Sequence, residues 1–262
     1  MEEAGIGDVR RVGGKNASLG EMIQELASQG IRVPTGFIIT TDGYRSFIEE
    51  AGLAPFIKET LKKVSAKNIT VLEKKCHDVR HAIEKAELPV SLQNEITEAY
   101  AEMEKQYGKN IDVAIRSSAT AEDLPGASFA GGYETYLGIR GKHDVLKAVK
   151  SSFASLFTAR AVSYRIDKKF DHFAIALSVA IQRMVRTDMG ASGVMFTIDT
   201  ETGFEDVIII NGAYGLGEMV VQGHVIPDEY LVAKNRLHHA PVPIIGKKLG
   251  AKSSKMVYGP KG

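Results

Sequence analysis

Arg116 heads a run built almost wholly of small residues, Ser117-Ser118-Ala119-Thr120 and onward through Leu124-Pro125-Gly126-Ala127-Ser128-Phe129-Ala130 to Gly131-Gly132. Side chains this small let backbone N–H groups approach a ligand, and successive N–H groups form a nest for an anion. Ser117, Ser118, Thr120 and Ser128 add hydroxyl donors, and Arg116 adds a permanent cation whose planar fork suits phosphate oxygens. A triphosphate needs these parts: dispersed donors, a fixed cation and a flap that excludes water. A Gly/Ser-rich surface loop has the same composition, so composition alone leaves both readings open.

Three other segments have residue types that do chemistry. In Val12-Gly13-Gly14-Lys15-Asn16-Ala17-Ser18-Leu19-Gly20 a glycine pair precedes a lysine at an expected helix start. Helix N-terminal amides and a lysine together suit a phosphate, and a turn followed by a solvated lysine fits equally. The segment is not a Walker A loop, because G-x-x-x-x-G-K-[ST] is absent. Gln182 closes an apolar stretch, where its amide would present a donor and an acceptor to an adenine edge or would simply end a strand. Ala213-Tyr214-Gly215-Leu216-Gly217-Glu218 reads as a tight turn after a strand, with Glu218 a ligand or, more simply, a helix cap. No nucleophile elbow is present. His77 and His81 lie four apart on an expected helix, but no zinc motif completes them; a solvated helix face is the plainer reading.

The elements that must position these residues follow from periodicity. Leu19, Met22, Ile23 and Leu26 recur at helical spacing, with Asn16 as cap and Gly30 as stop. Residues 34–41 read as a buried strand, followed by a helix with Tyr44, Phe47 and Ile48 inward. Residues 56–107 read as helical scaffold, with Pro89 before a helix that presents Leu92, Ile96, Ala99, Tyr100 and Met103. From residue 112 the texture changes: a short strand delivers Arg116 to the small-residue loop, and strand character resumes at 133–139. A helix then presents Val145, Val149, Phe153, Leu156 and Phe157. Residues 174–185, 193–198 and 207–211 read as strands. The class is α+β, with a mostly helical part over residues 1–110 and a strand-rich part over 111–262.

Bulk properties narrow the function. The 262 residues are 44% hydrophobic and 25% charged, ordinary for a globular chain able to bury a core. A net charge of +1 gives no polyanion signal, so nucleic acid is not an expected partner. The single cysteine, Cys76, makes no internal disulfide and fits a reducing compartment. With no signal peptide and no apolar run of membrane length, a cytoplasmic protein without a membrane partner is expected.

Taken in order, the motifs resemble the phosphoenolpyruvate synthases (pyruvate, water dikinases). They are Val12-Gly-Gly-Lys-Asn-Ala-Ser-Leu-Gly-Glu-Met22, Arg116-Ser-Ser-Ala-Thr-Ala-Glu-Asp-Leu-Pro125, Ala127-Ser-Phe-Ala-Gly131, Ala154-Ser-Leu-Phe157, Gln182-Arg-Met-Val-Arg186, Ser192-Gly-Val-Met-Phe-Thr-Ile-Asp-Thr-Glu-Thr-Gly-Phe204 and Gly215-Leu-Gly-Glu-Met-Val-Val-Gln-Gly223. The related pyruvate phosphate dikinases and rifampin phosphotransferases share the arginine and glycine-rich segments. The stretches from Asp199 and from Met219 are most similar to the synthase branch.

The resemblance implies an ATP-grasp-type, two-lobed nucleotide-binding domain whose second lobe is incomplete at the C-terminal end. By matching position, Lys15 and Arg116 would contact the ATP phosphates, Arg116 in a catalytic role. Gly131 and Thr135 would belong to the flap, and Gln182 would contact adenine. The whole enzyme would turn ATP, pyruvate and water into AMP, phosphoenolpyruvate and phosphate through a phosphohistidine on a separate domain, with pyruvate on another. Magnesium is the expected cofactor, with its ligands expected beyond Gly262 and none in this chain, so the isolated chain is expected to be inactive. The flap departs from the family's usual Gly-Gln-Gln-Glu-Thr, reading Gly131-Gly132-Tyr133-Glu134-Thr135. A related dikinase, a rifampin phosphotransferase-like enzyme and a non-catalytic nucleotide-binding module are the alternatives.

Overall fold

The structure, a computed structural model, describes residues 1–120, 134–239 and 241–259. These divide into two compact units, Met1–Met184 and Val185–Gly262. The change of texture near residue 111 therefore falls inside the first unit, where helices before it and strands after it share one core.

In the first unit, α1 spans Val9–Ala27 and is interrupted at Gly13, whose φ of 74° and ψ of 161° lie outside helical space. Asn16 is not the cap expected from the sequence. The helix begins eight residues earlier than that cap would place it, and Asn16 is buried inside it. The turn after α1 closes as expected, with Gly30 at φ 78° and the Ile31 N–H on the Leu26 carbonyl. Strand β1 (Gly36–Ile39) leads into α2 (Thr41–Glu50), which buries Tyr44, Phe47 and Ile48 as its spacing requires. Then come α3 (Leu53–Leu61), α4 (Ile69–Lys85) and α5 (Val90–Tyr107). Asn68 caps α4 by accepting from the Val71 N–H, and Pro89 stands at the start of α5.

Strands β2 (Val113–Ala119) and β3 (Thr135–Ile139), helices α6 (Lys142–Ala154) and α7 (Ala159–Asp167), and strand β4 (Leu177–Arg183) complete the unit. The sheet runs β1-β4-β2-β3, and every pairing is antiparallel. Side chains alternate between faces along a strand. Val113, Ile115 and Ala119 of β2 and Leu177, Val179 and Ile181 of β4 enter one large core with residues from α2 to α7. Phe153 is central to it, edge-on to Tyr44 at 5.3 Å and stacked with Phe47 at 5.8 Å between ring centroids. Burying each such ring stabilises the unit by about 1.5–3 kcal/mol. The opposite face is covered by α1, where Ile38 packs with Ala4, Val12 and Ala17.

One cation lies inside this core. Arg165 is fully buried, donates Nη2–H to the Leu156 carbonyl at 2.6 Å and lies over the Phe157 ring. Its Nε–H is donated to Nδ1 of His172 at 3.0 Å, so the imidazole serves as a neutral acceptor. Burial and the guanidinium push the His172 pKa down to about 4.

The second unit is, over its described residues, a four-stranded antiparallel meander of β5 (Ala191–Phe196), β6 (Val207–Tyr214), β7 (Asp228–Ala233) and β8 (Ile244–Lys248), with a short α-helix, α8 (Glu218–Val221), between β6 and β7. The turn before β6 is tied by Asp199, which accepts from the Glu201 N–H and the Thr202 hydroxyl; these bonds hold its carboxyl below the ordinary range. Gly215, at φ 83°, admits the chain at Met256, whose carbonyl a Cβ would meet at 2.4 Å. Asp228 accepts from the Gly250 N–H and the Lys252 ammonium, fixing the segment after β8.

Candidate functional site

Strand register sets the site in the first unit. Arg116 stands opposite Thr135 of β3 and Ala180 of β4, and Gln182 stands opposite Ala114 of β2 and Gly36 of β1. Directly opposed residues share a face, so Ala114, Arg116, Ser118, Thr135, Ser178, Ala180 and Gln182 all lie on the face that α1 covers. Arg116 and Thr135 are exposed there, where α1 leaves the sheet open. A β-bulge in the β2–β3 pairing, with Gly138 at φ 69°, sets the register that brings Thr135 to Arg116. The start of β3 is further fixed through Glu134. Its carbonyl accepts from the Ser117 hydroxyl at 3.3 Å, and its carboxylate accepts from the Tyr136 hydroxyl. Burial, first, and then that carboxylate hold the Tyr136 phenol above its ordinary pKa.

Lys15 comes to the same side of the sheet because α1 is seated there. Gly13 lies against β2, where a Cβ would meet the Ser118 hydroxyl oxygen at 2.3 Å and the Ser118 carbonyl oxygen at 2.8 Å. Asn16 donates its Nδ2–H to Ser178 Oγ at 2.9 Å, and the Ser178 hydroxyl reaches the Val12 carbonyl. The exposed Lys15 sits between the two anchors, Gly13 and Asn16.

Several residues expected in the phosphate loop are placed otherwise. Ser117 and Ser118 are buried members of β2 and not loop residues: the small Ser118 lies on the face that α1 approaches at Gly13, and Ser117, on the opposite face, donates its hydroxyl to the Glu134 carbonyl. Thr120 follows the strand and pairs with Ala176, its N–H on the Ala176 carbonyl and its hydroxyl accepting from the Ala176 N–H. Ser128 and Gly131, with Gly132 and Tyr133, lie outside the described residues. Gln182 is 7% exposed and donates Nε2–H to the Pro34 carbonyl at 2.7 Å, which uses one of the two N–H donors of its amide. Ser178 was not singled out by sequence reasoning; its only signal is a serine inside the apolar run 174–182.

In the second unit Glu218 opens α8 and accepts from the Gln222 amide at 2.7 Å, a local helix contact. His77 and His81 stack on the exposed side of α4 with ring centroids 5.9 Å apart. Among the described residues no group of three or more His, Cys, Asp or Glu is placed to hold a metal ion. No helix among them is long and apolar enough to cross a membrane.

An exposed guanidinium beside an exposed strand-end hydroxyl, with an ammonium on the helix that covers the same face, can hold a polyanion. The cations offset its charge while the sheet fixes their spacing. Comparison with known proteins points the same way. Residues 9–262 match the family described as pyruvate phosphate dikinase, AMP/ATP-binding domain. The chain is 52% identical to a phosphoenolpyruvate synthase of Synechocystis over 98% of its own length and 32% of that protein's. It is 48% identical to a phosphoenolpyruvate synthase of Escherichia coli, covering 98% of this chain and 32% of the relative. A probable phosphoenolpyruvate synthase of Methanocaldococcus jannaschii is 42% identical over 100% of this chain and 21% of its own length. The chain thus spans at most about a third of these curated relatives.

Proposed function

Because the chain belongs to the pyruvate phosphate dikinase AMP/ATP-binding domain family, we propose that it is the ATP-binding part of a phosphoenolpyruvate synthase. Arg116 and Lys15 hold the ATP phosphates, Thr135 presents the adjoining strand end, and Gln182 reads the adenine. The observation that carries this assignment is the register of Arg116 opposite Thr135 on the face that α1 covers. Catalysis in such a site consists of positioning the polyphosphate and neutralising its charge, work that fixed cations do.

In the whole protein the phosphoryl group passes through a phosphohistidine on another domain to pyruvate. The overall reaction takes ATP, pyruvate and water to AMP, phosphoenolpyruvate and phosphate. Magnesium, a cytoplasmic setting and a role in gluconeogenesis belong to the same proposal. Identity near 50% to phosphoenolpyruvate synthases across nearly the whole chain supports that branch over a phosphate-using dikinase or a rifampin phosphotransferase.

Phosphorus NMR of the products formed by the whole protein from ATP and pyruvate tests the assignment. Phosphoenolpyruvate, AMP and inorganic phosphate in equal amounts are expected. Pyrophosphate in place of phosphate, or phosphoryl transfer that ignores pyruvate, overturns it.

A further inference from the structure

We infer that Ser178 and Asn16 are positioning residues for the phosphate site, setting where Lys15 stands relative to Arg116; the inference rests on the ATP reading above. Ser178 is fully buried in β4, opposite Ser118 and two residues from Ala180, the partner of Arg116. Its hydroxyl is a three-way junction. It accepts from Asn16 Nδ2 at 2.9 Å, reaches the Val12 carbonyl, and lies 3.2 Å from the Ser118 carbonyl. Val12 and Asn16 bracket Lys15 in the chain, and Ser118 lies two residues beyond Arg116 on β2. One hydroxyl therefore ties the segment that carries one cation to the strand pair that carries the other.

Helix propensity alone does not fix this arrangement. Gly13 breaks the helical backbone, so the helical turn carrying Lys15 is not held by continuous hydrogen bonding from Val9 onward. It is held by tertiary contacts, and of these the Asn16–Ser178 bond is a buried side-chain contact between residues 162 positions apart. Asn16 is 3% exposed, and a buried amide in a helix is disfavoured unless its bonds are met, so the pair is specific to this geometry. Two cations gripping one polyphosphate must keep their spacing, because a displacement of about 1 Å is enough to weaken a multi-point grip.

The test is a double-mutant cycle read by calorimetric titration with ATP and, separately, AMP. Ser178→Ala should weaken ATP binding about tenfold and change AMP binding less than about twofold. In a Lys15→Ala background the same substitution should add almost nothing, because its effect runs through the lysine. Asn16→Leu, which keeps the volume and removes the donor, should reproduce the selective loss of ATP affinity if Ser178→Ala does not fold. Equal losses for ATP and AMP, additive losses with Lys15→Ala, or unchanged ATP affinity in a folded variant would each overturn the positioning role alone. Failure of the unsubstituted chain to bind ATP would overturn the nucleotide reading and the positioning role with it.

Discussion

Gly13 packs directly on Ser118, so closely that a Cβ at position 13 would meet the Ser118 hydroxyl oxygen at 2.3 Å and the Ser118 carbonyl oxygen at 2.8 Å. Position 13 also has a φ of 74°, a region side chains rarely adopt. Both effects penalise the same substitution. Gly13→Ala should destabilise the first unit by about 2–4 kcal/mol, read as a lowered midpoint in urea. Gly7→Ala, where a Cβ meets nothing within 4 Å, is the matched control and should be close to neutral. Equal midpoints for the two variants would contradict the packing of α1 on β2.

The bond between the buried Arg165 and the half-buried His172 gives stability a pH dependence. The folded protein holds His172 neutral with its pKa near about 4, against an ordinary value of 6.5. As pH falls through 6.5 the unfolded chain takes up a proton that the folded chain refuses until about 4. The stabilisation is complete above pH 6.5 and declines below it, by up to about 1.4 kcal/mol per pH unit. Urea unfolding between pH 7 and pH 4.5 should show this slope. His172→Gln, which retains an acceptor without titrating, should flatten it.

Cys76 is buried in the core between α4 and its neighbours, and burial pushes its thiol up to about 11. The thiolate is the reactive form, so the native protein should react with a thiol reagent only as fast as it opens. Labelling should become rapid in denaturant, at the midpoint seen by circular dichroism. Prompt labelling of the native chain would contradict the core assignment.

Gln182 is bonded to the Pro34 carbonyl, so truncating it should cost about 1 kcal/mol of stability as well as adenine affinity. Gln182→Ala should weaken ATP and AMP binding by a similar factor, because the adenine is common to both. A loss confined to ATP would move Gln182 to the phosphate end.

Much of this fold was legible in the chain itself. The inward stripe of α2 and the helices between residues 53 and 107 follow from spacing, and the strand ending at Arg183 follows from its apolar run. The short strand expected to carry Arg116 is part of β2, where Arg116 stands opposite Thr135. The errors cluster where small residues serve packing. Ser117 and Ser118 read as loop donors but continue β2, with Ser118 small enough for α1 to approach at Gly13. Asn16 read as a cap but is spent on Ser178, a partner 162 residues away that no local pattern reveals. Arg165 sits at a helical position that spacing alone would leave solvated, and only the three-dimensional core supplies its acceptors.

The central claim is that Arg116 serves a polyphosphate and not the core. Its side chain is exposed, so Arg116→Ala should unfold within about 0.5 kcal/mol of the unsubstituted chain. Losing a charge-assisted, forked contact of roughly 1.5–3 kcal/mol should weaken ATP binding by about ten- to a hundredfold. Lys15→Ala should weaken it less, since helix amides share that load. Calorimetric titration of the unsubstituted chain and of Arg116→Ala with ATP is the measurement to make. Saturable binding that collapses in a folded Arg116→Ala variant is the predicted result; undiminished binding in that variant would contradict the account.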